Sequence, residues 1–353
     1  MQTLPLTIVI PTYQRHHLLG RALAHYDAFG LPVIVVDSTP EPFTDLGNLR
    51  NVEYLHRPDA PMPHKLRAPV LENVRTPYMV MSADDSFTSL SGLRSCVEFL
   101  AANEDYSSAQ GYYFGYWLRG DEVALDLYYR SVETLDSLVD SHRPEDRLIQ
   151  MFSRYSAMFY AVYRTDCQRE MLQRFPDMIR NYCIAEFYFA MMTALHGKHA
   201  LLPVFYQLQE HAPGIGHNET FRNDMHRLAT KPRYIGEFDA FVDAVAAYLA
   251  ERSGRPLADA RIFIMKAVAL QAWQRKMEKN PGDRLRTEWQ ALLNKTVFKA
   301  RKREITRLKR KAEAAQLQLA VDGARALIGP EGRAELDGMV RSLGAQTSAQ
   351  EAS

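Results

Sequence analysis

The sequence predicts an α/β fold: a doubly wound mixed sheet with helices on both of its faces, followed by a C-terminal helical region. Over the first eighty or so residues, short apolar, β-branched segments alternate with segments of helical periodicity. Polar side chains directly follow several of these apolar segments, as they do where such sheets bind ligands. From about Phe238 onward the strand pattern stops and alanine-rich helical periodicity takes over.

The individual elements follow from these patterns. Leu6 to Ile10 is apolar and β-branched, so we expect a buried strand, which Pro11 closes. The next apolar residues recur at helical spacing until Gly30, which ends that helix. Further strands are expected at 32–36, 52–55, 78–81 and from about 201 to 211, and helices at 65–74, 240–249, 258–277 and 287–328.

Composition and charge limit the class of protein. The chain has 353 residues, of which 46% are hydrophobic and 24% charged, so a fibrous or wholly disordered protein is excluded. A net charge of +1 argues against a chain built to coat nucleic acid. Three widely spaced cysteines argue against a disulfide framework or a structural zinc site. The apolar runs are too short for a signal peptide or a membrane span, so we expect a cytoplasmic protein.

One segment departs from this neutral average. Residues 294–311 carry nine Lys or Arg and one Glu, a charge of +8, and the rest of the chain sums to −7. A basic amphipathic helix of this kind could bind an anionic membrane surface, at the inner membrane face. Alternatively, its apolar stripe packs against another helix or against a second copy of the chain in a homo-oligomer. We expect no nucleic-acid partner, because aromatic residues are almost absent from the segment.

Carboxylates stand at the ends of two predicted strands. Asp84 and Asp85 directly follow an apolar strand, where two such groups form an oxygen-rich site for Mg²⁺ or Mn²⁺. The alternative is that Asp84 opens a turn and caps the next helix. Asp37 ends the second strand, either as a turn residue or as an acceptor for a nucleotide N–H or a ribose hydroxyl.

Three motifs together resemble the nucleotide-sugar half of family 2 glycosyltransferases, which have the GT-A fold. They are Thr7-Ile-Val-Ile-Pro-Thr-Tyr-Gln-Arg15, Val35-Val-Asp-Ser38 and Thr76-Pro-Tyr-Met-Val-Met-Ser-Ala-Asp-Asp85. About 25 residues separate the first motif from the aspartate, and fewer than 50 separate that aspartate from the acidic pair. The resemblance covers roughly residues 5 to 220.

The resemblance implies roles for individual residues. The first loop and the aspartate after the second strand would hold the nucleotide, which assigns donor binding to Pro11, Thr12, Tyr13, Arg15, Asp37 and Ser38. Lys65, together with Arg67, would lie near the diphosphate. Ser82 stands where many members carry the first aspartate of a D-x-D motif. With serine at this position, Asp84 would face the ribose or the metal, and Asp85 is the expected metal ligand.

The acceptor half carries two further motifs. The helix before Gly197 resembles the family's acceptor helix, and Glu186, eleven residues ahead of that glycine, falls on the position of the catalytic base. Ala185 replaces the acid that usually precedes it. Tyr206 to Gly214 resembles the family's histidine-bearing loop, which implies His211 as a third metal ligand, with His217 close enough to substitute. The alternatives are an exposed glutamate on a helix face and a loop histidine of no consequence.

The resemblance implies a metal-dependent, inverting glycosyltransferase that uses Mn²⁺ or Mg²⁺. The expected donor is a nucleotide sugar, foremost a UDP-sugar, and the acceptor is a glycan, a lipid-linked glycan or another hydroxyl compound in surface polysaccharide or glycoconjugate synthesis. The transferase domain would span 1–235, with a nucleotide-sugar half at 1–115 and an acceptor half at 116–235. The helical region would span 236–353.

Two other functions stay open. A sugar nucleotidyltransferase would share the nucleotide, the metal and the sheet, but such enzymes carry a glycine-rich basic loop and Pro11 to Arg15 contains no glycine. A catalytically inactive scaffold that acts through its helical tail is conceivable because Ser82 and Ala185 replace acids of the motifs.

Overall fold

The computed structural model describes residues 4–47, 49–58, 60–61, 64–119, 122–127, 139–153, 158–211, 225–278, 318 and 321–351. The strands are β1 Leu6–Thr12, β2 Val33–Asp37, β3 Val52–His56, β4 Tyr78–Met81, β5 Ser86–Thr88, β6 Tyr106–Arg119, β7 Glu122–Leu127, β8 Val162–Arg164 and β9 Lys198–Glu210. The helices are α1 His16–Asp27, α2 Arg67–Glu72, α3 Leu90–Ala102, α4 Pro144–Ser153, α5 Thr165–Gln173, α6 Tyr182–His196, α7 Met225–Thr230, α8 Ile235–Ser253, α9 Leu257–Glu278 and the C-terminal helix Gly329–Glu351. Short 3₁₀ turns lie at His64–Leu66 and Pro232–Tyr234, and residues 321–327 are also helical.

The strands form one mixed sheet in the order β3-β2-β1-β4-β8-β6-β9-β5, with β7 beside β6. β1 pairs in parallel with β2 and β4, and β2 pairs in parallel with β3. β8 is antiparallel to both β4 and β6, whereas β9 is parallel to β6 and antiparallel to β5. With helices on both faces and a helical region after it, this mixed sheet confirms the predicted α/β fold class.

The predicted strands of the first half are confirmed to within two residues at either end, because parallel strands covered on both faces appear as continuous apolar runs. The helix predicted at 65–74 is shorter, and α2 begins only at Arg67. Pro69 has no N–H to donate within a helix, so it must lie in the first turn. The helices predicted at 240–249 and 258–277 are confirmed within the longer α8 and α9. Most of the helix predicted at 287–328, including the basic segment 294–311, lies outside the described residues.

Two hydrophobic clusters cover the two faces of the sheet. One lies beneath α1 and α3 and contains apolar residues of β1 and β2. The other lies beneath α5, α6 and α8, where Phe241 and Val245 of α8 are completely buried. α8 begins at the boundary predicted near residue 235, but its apolar side belongs to the same cluster as α6. The start of the helical region therefore contributes to the core of the sheet domain.

A third cluster joins the end of the chain to the far end of the sheet. Ile328, Leu336 and Leu343 pack there with aromatic residues of β6 and β9, namely Phe114, Tyr116 and Phe205. Glu335 of the C-terminal helix also accepts hydrogen bonds at the start of α3, from N of Leu90 at 2.8 Å and from Oγ of Ser89 at 2.7 Å. The segment from Val321 to Leu343 is therefore part of the packed structure.

Two features of the described residues relate to the expected environment of the chain, namely the state of its cysteines and the apolar length of its helices. The three cysteines, Cys96, Cys167 and Cys183, are buried and form no disulfide. Of the helices in the described part of the chain, none is long and apolar enough to cross a membrane.

A buried histidine in β9 makes the stability of the fold depend on pH. His199 is 2% exposed, its Nδ1 lies 2.8 Å from Oγ of Ser108, and burial lowers its pKa to about 4. In an unfolded chain a histidine has a pKa of about 6.5. Between pH values of about 4 and about 6.5, His199 therefore carries a proton in the unfolded state but not in the folded state. The stabilisation present above pH 6.5 is lost as the pH falls toward 4, by up to about 3 kcal/mol.

We expect His199→Gln to lose this part of the pH dependence. Urea unfolding at pH 7 and pH 5 should show a smaller drop in the free energy of unfolding for His199→Gln than for the wild type. His17 is exposed, so His17→Gln serves as the control and should keep the wild-type drop. Equal drops in His199→Gln and the wild type would show that another group is responsible.

Candidate active site

The carboxyl ends of β1, β2 and β4 meet at one edge of the sheet, because these strands are parallel neighbours. Thr12 at the end of β1 pairs with Asp37 at the end of β2. After β4 the chain stays on this edge, since N of Ser82 donates to O of Val9 at 2.9 Å. The first loop, Asp37 and the acidic pair thus lie together at this edge, as the strand pattern predicts.

Arg15 forms ion pairs with both carboxylates of the acidic pair. Its Nη1 lies 3.1 Å from Oδ1 of Asp84, and its Nη2 lies 2.5 Å from Oδ2 of Asp85. Burial acts to lower the pKa of Arg15, but the two carboxylates outweigh burial and raise that pKa above its usual value. The acidic pair is therefore neutralised in part by the first loop of the same chain.

Asp84 lies deeper than Asp85. It is 3% exposed, and Thr12 donates a hydrogen bond from Oγ1 to its Oδ2 at 2.7 Å. Burial raises the pKa of Asp84 to about 6, although Arg15 and Thr12 act to lower it. The charge on this carboxylate is thus incompletely compensated, and a further cation would be favoured here.

Asp37 is completely buried and fully hydrogen-bonded. Its Oδ2 accepts from the hydroxyl of Tyr54 at 2.6 Å and lies 2.8 Å from Nε2 of His16, and its Oδ1 accepts from N of Thr39 at 2.8 Å. Burial acts to raise the pKa of Asp37, but these hydrogen bonds outweigh it and hold that pKa below its usual value. Asp37 is therefore an ionised acceptor, and the motif pattern gave no sign of its partners His16 and Tyr54.

Lys65 holds the first two loops together from below. It is 3% exposed, and its Nζ donates to O of Thr12 at 2.6 Å and to Oγ of Ser38 at 3.0 Å. Burial lowers the pKa of Lys65 to about 8, against the charges of Asp37 and Asp84. Lys65 thus lies in the predicted site, where it positions the loops.

Arg67 lies elsewhere, although the sequence suggested a place for it near the diphosphate. It donates to O of Leu172 at 3.0 Å, to O of Phe175 and to a carboxylate oxygen of Asp177 at 2.6 Å. These contacts tie α2 to the segment after α5, so Arg67 has a structural role.

The first loop turns sharply between β1 and α1. Gln14 has a φ of 55°, a left-handed conformation that is uncommon for residues other than glycine. Its N donates to Oγ1 of Thr39 at 2.8 Å, which holds the turn. Tyr13, just before the turn, is 52% exposed, and Arg15, just after it, reaches back to the acidic pair. Pro11 is half-buried within β1.

Ser82, which replaces the usual first aspartate, takes part in a buried hydroxyl cluster. Its Oγ lies 2.6 Å from the hydroxyl of Tyr26, and that hydroxyl lies 3.0 Å from Oγ1 of Thr88. Both Ser82 and Tyr26 are completely buried. An aspartate at position 82 would place a charge against these neutral hydroxyls, so the serine fits its surroundings. The sequence offered no sign of Tyr26, whose position in α1 suggested only a core residue.

Glu186 occupies an unusual position on α6. From Asn181 to Leu195 every residue is buried except Tyr182 and Glu186, which are partly exposed and lie one turn apart on one face. The N-terminal end of α6 lies near the donor edge, because Nε2 of His64, beside Lys65, lies 2.7 Å from O of Ile179. Glu186 is therefore not an exposed residue on a surface helix, and its assignment as the base stays a prediction.

His211 follows β9 next to the acidic pair. N of Glu210 donates to O of Asp85 at 3.0 Å, and N of His211 donates to O of Tyr116 at 2.8 Å. The ring of His211 stacks on Trp117, with ring centres 4.2 Å apart. The residue opposite is Gly115, where a Cβ would lie 1.9 Å from Nε2 of His211, so only glycine leaves room for this ring. His217, the alternative, lies outside the described residues.

The acidic pair offers carboxylate oxygens of the kind that a divalent cation binds. Among the described residues, no group of three or more His, Cys, Asp or Glu side chains is arranged to hold a metal ion. Magnesium, however, is often bound by one or two carboxylates together with substrate phosphates. Asp84 and Asp85 direct oxygens at one guanidinium, so they fit a divalent ion shared with a diphosphate. His211 as a third ligand stays a prediction.

A cavity of about 560 Å³ opens at the opposite, amino-terminal edge of β6 and β9. Its cationic side chains already have partners. Arg147 donates to the carbonyls of Ala194 at 2.5 Å and Leu195 at 2.9 Å, at the end of α6, and Lys198 pairs with Asp105 at 2.6 Å. These contacts cap the helix, so the cavity gives no indication of a second ligand site.

Comparison with known proteins gives a likeness in structure only. No family model and no curated protein matches the chain. The chain is similar to the crystal structure of S. aureus TarS 1–349, with a TM-score of 0.46 and 14% identity over 77% of this chain and 91% of that one. A second S. aureus TarS structure gives a TM-score of 0.44 and 13% identity over 75% of this chain and 53% of that one. Both scores are low, so the fold assignment rests on the strand order and the site on its own contacts.

Proposed function

We propose that the protein is a glycosyltransferase that moves a sugar from a nucleotide-sugar donor to a hydroxyl acceptor. The observation that carries the proposal is the meeting of Asp37, Arg15 and the acidic pair at the carboxyl edge of the parallel strands. Ligands of open α/β sheets bind at this edge. The same residues belong to the motifs whose order resembles family 2 glycosyltransferases.

In the proposed donor site, the nucleoside and the diphosphate would lie at different parts of this edge. Asp37 is ionised but completely buried, with three hydrogen-bond partners, so a nucleotide N–H or a ribose hydroxyl would bind it by replacing one of these partners. Tyr13 offers an exposed ring beside it for the base. The diphosphate would lie toward Arg15, with a divalent ion on the acidic pair supplying the further positive charge that it needs.

The proposed metal is Mn²⁺ or Mg²⁺, held by Asp84 and Asp85 with the donor phosphates. A divalent ion at such a site offsets the charge that develops on the departing nucleoside diphosphate. Arg15 is near enough to add a second positive charge to the same group. Lys65 keeps the loops of Thr12 and Ser38 at a fixed spacing, which aligns the donor with the carboxylates.

Glu186 is proposed as the base that takes a proton from the acceptor hydroxyl. That hydroxyl would then attack the sugar carbon in line with the departing diphosphate, which inverts the anomeric centre. Support comes from the position of Glu186, a partly exposed carboxylate on an otherwise buried helix, where solvent or an acceptor could reach it. The proposed acceptor is a glycan, free or lipid-linked, in surface polysaccharide or glycoconjugate synthesis.

The proposed place of action is the cytoplasm, at or near the inner membrane face. Support comes from the +8 charge of residues 294–311, which would be attracted to anionic lipid by up to about 1 kcal/mol per basic residue. Homo-oligomerisation through the apolar stripe of this segment is the competing proposal. The segment lies outside the described residues, so both proposals rest on the sequence alone.

A panel of nucleotide sugars in thermal unfolding tests the donor site. We expect one donor, foremost a UDP-sugar, to stabilise the protein in the presence of Mn²⁺. A hundredfold excess over Kd adds about 2.7 kcal/mol to the free energy of unfolding. Asp37→Asn keeps the shape but removes the charge, so it should lose most of that stabilisation.

Asp45 is exposed in the loop after β2, so Asp45→Asn is the matched control and should respond like the wild type. Equal stabilisation of Asp37→Asn and the wild type would place the nucleotide elsewhere. A donor that binds but is never transferred or hydrolysed would favour an inactive scaffold over an enzyme.

A further inference from the structure

Arg15 occupies the position that a divalent cation would need. Its guanidinium contacts one oxygen of Asp84 and one of Asp85, at 3.1 and 2.5 Å, and thereby bridges the two carboxylates. Both oxygens carry the negative charge that a metal ion would bind. A cation and this guanidinium cannot occupy the same space, so the metal site becomes available only when Arg15 moves.

Two features favour such a movement over a permanent ion pair. Nε of Arg15 is buried and, within the described part of the chain, has no hydrogen-bond partner, so the guanidinium is only partly satisfied where it lies. Gln14, directly before it, has a φ of 55°, a left-handed backbone conformation that is unfavourable for a residue other than glycine. The loop that delivers Arg15 is therefore strained, and the release of that strain favours a second arrangement.

We propose that Arg15 and the divalent cation compete for Asp84 and Asp85. The donor's diphosphate shifts this competition toward the cation, because its oxygens bind Arg15 in place of the carboxylates. This inference rests on the proposed function for the identity of the donor. An arginine fork suits phosphate oxygens as well as it suits carboxylates. Metal and donor then bind together, and in the apo protein Arg15 neutralises part of the charge of the acidic pair without an ion.

Titration of Mn²⁺ by electron paramagnetic resonance measures this competition without any assay of activity. Arg15→Met keeps the length and apolar stem of the side chain and removes its charge. We expect this variant alone to bind Mn²⁺ about tenfold more tightly than the wild type alone, a difference of about 1.4 kcal/mol. UDP should tighten Mn²⁺ binding to the wild type by more than it does for Arg15→Met, because only the wild type must release Arg15.

Two further variants control the comparison. Arg50 is exposed and precedes β3, at the edge of the sheet opposite the acidic pair, so Arg50→Met makes the same charge change away from the carboxylates and should bind Mn²⁺ like the wild type. Arg15→Lys keeps a charge but loses the fork that bridges both carboxylates, so its Mn²⁺ affinity should lie between those of the wild type and Arg15→Met.

The outcomes separate this inference from the proposed function. Equal Mn²⁺ affinity in the wild type and Arg15→Met, or no Mn²⁺ binding to either, overturns the competition. An equal effect of UDP on both proteins overturns the coupling to the donor. If Arg15→Met binds Mn²⁺ more tightly than the wild type but no nucleotide sugar stabilises the protein, the exchange at Asp84 and Asp85 is supported and the proposed function fails.

Discussion

Deletion of residues 321–353 is expected to leave a chain that does not fold stably. The deletion removes Val321, Ile328, Leu336 and Leu343, each at most 5% exposed and packed on β6 and β9. Burial of a large apolar side chain contributes about 1.5–3 kcal/mol, so the four together contribute about 6–12 kcal/mol. That sum is comparable to the whole stability of a typical domain, about 5–15 kcal/mol. Soluble yield, near-ultraviolet circular dichroism and urea unfolding measure the effect.

Two leucines of the same segment provide a graded version of this test. Leu336 is 0% exposed and Leu327 is 41% exposed. Leu336→Ala should cost about 2–5 kcal/mol in the free energy of unfolding. Leu327→Ala should stay within about 0.5 kcal/mol of the wild type. A truncated protein that unfolds with wild-type cooperativity, or equal costs for the two leucines, would mean that the segment does not pack on the sheet.

Replacement of Glu186 by glutamine is expected to lower kcat by about 10²- to 10⁴-fold. Glutamine keeps the shape and hydrogen bonding of the side chain but cannot accept a proton. Donor binding should hardly change, because Asp37, Arg15 and the acidic pair keep their own contacts with Tyr54, with Thr12 and with one another. Transfer is measured with the donor that the thermal panel identifies, and donor Kd is measured separately by calorimetry.

Glu98 supplies the control for this experiment. It is an exposed glutamate on α3, so Glu98→Gln should keep both kcat and donor Kd. Most of the wild-type turnover in Glu186→Gln would show that the base lies elsewhere. A large rise in donor Kd would instead move Glu186 from the acceptor side to the donor site.

The strand pattern was sufficient to predict the sheet and the edge where the candidate site lies. Parallel strands buried on both faces leave an unmistakable apolar run, and their polar ends must meet because neighbouring strands share a direction. Asp37, Asp84 and Asp85 could therefore be placed from their positions in the chain alone.

Side-chain partnerships could not be predicted in the same way. Tyr26 and Ser82 lie 56 positions apart, and Arg15 and Asp85 lie 70 apart, and only the packed fold brings each pair into contact. The pattern of charges indicated a binding site at the acidic pair but not that Arg15 would already occupy it. Likewise, helical periodicity predicted the last helices but not the surface they cover, because both faces of β6 and β9 are apolar.

The order of the strands in the sheet differs from their order in the chain, and this has a consequence for how the protein is made. Among the described residues, β5, directly after the acidic pair, pairs with β9 alone, and β9 ends at Glu210. A ribosome adds about 5–20 residues per second, so β5 waits on the order of ten seconds for its partner strand. Glu335, which caps the start of α3, is synthesised later still. A nascent chain thus leaves β5 unpaired until β9 has been made, and a chain terminated before Glu210 would expose an unpaired edge strand that invites aggregation.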